Sequence, residues 1–139
     1  MQKRIMALFT AMLVGRAMTL AYIHRAGGEG LGDPPAAWLM PLIGDAVIGV
    51  SGLLVLYLLL NRRGLAVWTT VVVWNAVAIW DALSAFVIQQ TNPWPEFFMI
   101  QIFGSSMFFL ASAMHLVILY LAFSVTVKAE FLDDVSQQA

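Results

Sequence analysis

A chain of 139 residues in which 61% are hydrophobic and 11% charged lies far from a soluble domain, where about a quarter of residues are charged. A net charge of −1 gives no basic footprint for a nucleic acid, and the lack of cysteine excludes disulfides, thiolate nucleophiles and Cys-type metal sites.

The first element begins with MQKRIMALFTAMLVGRAM, in which Lys3 and Arg4 precede an apolar run. That order imitates a signal peptide, but Arg16 interrupts the run, so residues 5–23 read as a retained first span. A bilayer core of about 30 Å needs roughly 20 apolar residues in helical form. The loop HRAGGEGLGDPPA then stops any helix through its Gly and Pro residues.

Residues 37–60 form the second expected span, with Pro41 near its start, where a missing N–H costs little. NRRG is a tight turn into the third span, residues 65–90, and TNPWPE breaks the chain before a fourth, continuous helix over residues 97–123. The remainder, residues 124–139, is too polar for a fifth span and reads as a fraying end with Glu130, Asp133 and Asp134 in water. The fold class expected is all-α: a single domain over residues 1–139, an integral membrane four-helix antiparallel bundle with short loops.

Lys3, Arg4, Arg62, Arg63 and Lys128 fall on one side of that bundle and Arg25 alone on the other. Basic residues stay on the cytoplasmic side, so both termini are expected there, with a bacterial inner membrane as the location. The side that carries residues 24–36 and 91–96 is then the outer one.

Several polar residues sit deep in the apolar spans. Counted from the expected outer ends at 23, 37, 90 and 97, Arg16 lies 7 residues in, Asp45 8, Asp81 9, Ser105 8 and Ser106 9. At about 1.5 Å per residue these share one layer. Charges in hydrocarbon are costly and need partners, and a guanidinium can hold one carboxylate bidentately while still offering donors to a second. Arg16, Asp45 and Asp81 are therefore expected to meet. Two carboxylates beside one guanidinium rarely both ionise, so a shared proton is expected in the layer.

Ala78 and Ala85 beside Asp81, and Gly49 and Gly52 beside Asp45, would let helices approach closely. Thr10, Ser51, Asn75 and Ser112 lie deeper, as interhelical hydrogen-bonding groups. His115, counted as 18 residues in, falls below the Asp layer, as a satisfied structural histidine or a proton relay element. Met6, Met12, Met18, Met107 and Met114 read as packing residues. At the outer mouth His24, Arg25, Glu29, Asp33, Gln89, Gln90, Glu96 and Gln101 form a polar rim.

No phosphate loop, metalloprotease spacing or catalytic triad is present in the sequence. The expectation is a non-enzymatic membrane component without cofactor or metal: an accessory or scaffold subunit, in a homo-oligomer or a larger membrane complex. The alternative is a small proton-coupled transporter or small-ligand-binding membrane protein that uses Asp45 and Asp81. Intramembrane acid and base chemistry through the Asp pair or His115 is a third, lesser reading.

Overall fold

A computed structural model describes residues 1–26, 36–94 and 97–136. Helix α1 (Gln2–Leu13) continues through a 3₁₀ segment (Val14–Thr19) into α2 (Leu20–Ala26). Then come α3 (Leu39–Asn61), α4 (Leu65–Thr91), α5 (Phe98–Phe103), α6 (Ser106–Ala122) and α7 (Val125–Ser136), with no strand among the described residues. Residues 2–23, α3 and α4 are each long and apolar enough to cross a membrane. A fourth crossing exists if α6 and α7, bent by 67° at Phe123–Ser124, are taken together.

Large apolar side chains cover the outside of the bundle as well as filling its core. Trp80, Leu60, Leu53, Leu54 and Val77 stand exposed on the outside, whereas Thr10, Thr19, Asn75 and His115 are all 2% exposed or less. Monomeric soluble proteins rarely show contiguous apolar surface on this scale. A helix that meets lipid on one side and keeps its polar groups for its neighbours is sorted in this way.

The first helical stretch, α3, α4 and α6 close into a ring: the first packs on α3 and α6, α3 on α4, and α4 on α6. Partners run in opposite directions. Gly44 of α3 faces Asp81 of α4 while Gly52 faces Trp74, and Phe86 of α4 meets Phe108 of α6 while Trp68 bonds the Ala122 carbonyl at 2.9 Å. Two glycines permit the closest approaches. A Cβ at Gly49 would fall on the backbone of Ala17, and one at Gly44 would fall on the Asp81 carboxylate.

The expected continuous helix over 97–123 is instead divided. Gly104, at φ 56°, turns the chain between α5 and α6. Left-handed backbone ends a helix, and glycine adopts it without a Cβ penalty. The expectation of a polar, fraying tail is corrected as well. Ser124 caps α7, its Oγ accepting the Val127 N–H at 3.4 Å, and Val127 and Phe131, one helical turn apart, are fully buried. Gly64, at φ 105°, donates its N–H to the Phe131 carbonyl at 2.9 Å, so α7 closes the NRRG end of the bundle. Glu130 is exposed, and the side chains of Asp133 and Asp134 lie outside the described residues.

The opposite end is aromatic. Trp38, Trp94, Phe97 and Phe108 are buried together with Leu42 and Ala85, and Trp38 donates its indole N–H to the Asn92 carbonyl at 2.8 Å. Trp94 lies 5.7 Å from Trp38 and 5.0 Å from Phe97 between ring centroids.

Candidate functional site: a buried ionic cluster beside an apolar cavity

Arg16 sits in the 3₁₀ segment, whose rise of about 2.0 Å per residue and threefold repeat differ from those of the flanking helices. Thr19 ties the segment down: its hydroxyl bonds the Arg16 carbonyl at 2.8 Å and the Leu42 carbonyl of α3 at 3.3 Å. The Arg16 side chain then reaches three other elements. Nε donates to Asp45 Oδ1 at 2.5 Å, and Nη2 bridges the same Asp45 oxygen and Asp81 Oδ2, the latter at 2.5 Å. Nη1 lies 3.3 Å from His115 Nε2.

That last contact fixes the direction of a hydrogen-bond chain. A guanidinium only donates, so His115 Nε2 accepts and Nδ1 carries the proton. Nδ1 donates to Asn75 Oδ1 at 2.8 Å, and Asn75 Nδ2 donates to the Val71 carbonyl at 2.7 Å. His115 is thereby held as one neutral tautomer, with Trp74 packed edge-on at 5.1 Å. The Arg16, Asp45 and Asp81 side chains keep 11%, 24% and 15% of their surface exposed. Each is directed at the neighbouring elements it bonds.

The structure thus brings together Arg16, Asp45 and Asp81 and adds His115 and Asn75 to them. Ser105 and Ser106 stay out. Ser105 lies at the break before α6, and Ser106 is exposed with its hydroxyl on the Phe103 carbonyl. Both exclusions and the inclusion of His115 have one cause. Depth counted from residue 97 assumed unbroken helix, whereas α6 begins at Ser106, nine residues before His115. Ser112, 6% exposed, makes no hydrogen bond through its Oγ.

The deeper hydroxyls divide in the same way. Thr10 bonds only its own helix, at the Met6 carbonyl, while Ser51 accepts the Trp74 indole N–H across α3 and α4 at 3.0 Å. At the aromatic end Gln89 is 8% exposed and accepts the Trp94 backbone N–H at 3.1 Å; Gln90 and Gln101 are exposed. Glu29, Asp33 and Glu96, and the side chains of His24 and Arg25, lie outside the described residues.

Beside the cluster is a cavity of about 370 Å³, within the size range of small-molecule sites. Arg16 and Asp45 are the charged residues on its wall, and Asp81 is not part of it. The rest of the wall is mostly apolar, with Trp38, Trp94, Phe97, Phe108, Met107 and Met114 among its residues. The indole Nε1–H of Trp94 is buried and finds no acceptor among the described residues; a buried donor left unpaired costs about 1–3 kcal/mol. Among the described residues no three His, Asp or Glu side chains are grouped to hold a metal ion.

Comparison with family models, with curated proteins and with solved structures finds no match for this chain.

Proposed function

We propose that this chain is a small integral membrane protein that binds an amphipathic small molecule, its apolar part among the Met and aromatic side chains and its polar part at Arg16 and Asp45. The observation that carries this reading is the pairing of a charged wall with an otherwise apolar cavity. A lone ion network that only fixes helix register would need no such space. Binding is favoured over transport because the polar chain ends at the Val71 carbonyl. Beyond it Val55, Leu59, Val71, Ile118, Val127 and Phe131 fill the interior. The distribution of basic residues supports termini on the cytoplasmic side of a bacterial inner membrane, with the aromatic end toward the other face.

Organic extracts of the protein purified in native lipid, read by mass spectrometry, test the proposal. Wild-type protein is expected to carry a small molecule that Ala111→Trp, which fills space at the cavity wall, does not. Identical extracts would remove the support for a ligand site. A second reading has its own observation, the close fit of Gly44 against Asp81 and of Gly49 against Ala17. It favours a non-enzymatic accessory or scaffold subunit whose ionic layer locks four spans together in a homo-oligomer or larger complex. Native mass spectrometry that finds only single chains counts against it.

A further inference from the structure

Two carboxylates face one guanidinium in the cluster, and each packed element supplies one of the groups that meet there: Arg16 from the first span, Asp45 from α3, Asp81 from α4 and His115 from α6. His115 accepts from Arg16 and donates to Asn75, so it brings no charge. Among the described residues one negative charge is left without a protein cation. Such a charge is expensive in an apolar interior, and the empty cluster must therefore retain a proton or take a cation from outside.

The cavity gives that cation an address. Asp45 lines it and Asp81 does not. Both bonds from Arg16 to Asp45 use Oδ1, and Oδ2 has no hydrogen-bond partner among the described residues. The same cavity wall carries the rings of Trp38, Trp94, Phe97 and Phe108, and aromatic rings attract a cation without adding formal charge.

We propose that the cavity takes a monovalent organic cation with an apolar body, of the substituted-ammonium class, and that this cation displaces the proton otherwise held between Asp45 and Asp81. The proposal rests on the reading of the cavity as a ligand site. No covalent bond changes: the ammonium ion enters beside Asp45, and the proton leaves to bulk solvent.

The test uses wild-type protein in lipid nanodiscs, with empty discs as the blank. Titration calorimetry compares benzyltrimethylammonium, a fixed cation, with neopentylbenzene, which has carbon in place of its nitrogen, and with the anion benzenesulfonate. Two buffers of different ionisation enthalpy count the protons released. The expected result is at least tenfold preference for the cation, release of close to one proton, and affinity that strengthens by up to about tenfold per pH unit while the proton is being displaced.

Neopentylbenzene binding within twofold of the cation, tighter binding of the anion, or cation binding without proton release overturns the charge assignment and leaves the ligand site standing. Failure of all three probes overturns it too, and together with identical extracts from wild type and Ala111→Trp it takes the ligand site as well. Asp45→Asn is expected to abolish proton release and the preference for the cation. Should that variant not fold, the comparison in wild type decides alone.

Discussion

Arg16 binds two carboxylates contributed by different helices, so its removal leaves both facing an apolar interior and each other. Breaking a buried ion pair on one side costs about 3–5 kcal/mol, largely because the remaining charge is left without a partner. Arg16→Met is expected to lose stability on that scale, measured by denaturant unfolding in mixed micelles. Arg16→Met combined with Asp45→Asn and Asp81→Asn should recover most of the loss, and a triple variant no more stable than the single one would show that charge is not what the cluster contributes. Asn75 and Ser112 make a second contrast. Asn75→Leu removes the acceptor of the His115 N–H and is expected to cost about 1–3 kcal/mol, whereas Ser112→Ala removes a hydroxyl that bonds nothing and should be neutral or stabilising in the same assay. The Arg and Asp residues were legible in the sequence because charge in hydrocarbon is rare enough to demand a partner. His115 was misplaced because depth along a chain is meaningful only where the helix is unbroken, and φ at Gly104 is not visible in the residue itself.

The elements obey two different spacings, and the substitutions that separate them are glycines. In α3 a Cβ at Gly49 would fall on the backbone of Ala17, while one at Gly15, within the 3₁₀ segment, would meet nothing within 4 Å. Overpacking typically costs about 1–3 kcal/mol, and where backbone is the obstacle the upper part of that range applies. Gly49→Ala should therefore lower the midpoint of thermal unfolding clearly, and Gly15→Ala should hold or raise it by restricting the unfolded chain. Equal effects would mean that the first span does not rest on α3 through Gly49. The close helix contacts at Gly49 and Gly52 follow from the spacing of small residues on one face. The 3₁₀ segment has no comparable mark, since VGRAMT is compatible with ordinary helix. In α7 the information was present but averaged away: VKAEF places Val127 and Phe131 on one face, although the segment as a whole is polar. Phe131→Ala, at a fully buried position, is expected to cost about 3–5 kcal/mol and to speed hydrogen exchange in α7 before the rest of the bundle.

At the scale of the whole molecule the arrangement of elements makes a demand on the membrane. Arg62 and Arg63 lie between α3 and α4 at the end closed by α7, while Asn92 and Trp94 lie at the aromatic end beside the cavity. The 27 residues of α4 span about 40 Å, longer than a hydrocarbon core of about 30 Å, so α4 is long enough to place its two ends on opposite faces at tilts up to about 40°. The chain contains no cysteine, so single introduced cysteines report on topology without background. Thr91→Cys and Arg63→Cys both replace exposed residues at opposite ends of α4. In intact cells a membrane-impermeant maleimide is expected to label the first and not the second, with the pattern reversed in inside-out vesicles. Labelling of both from one side would contradict α4 as a span and with it the ring that holds Asp81 against Arg16. A clean inversion would instead keep the bundle and place its aromatic end on the cytoplasmic face.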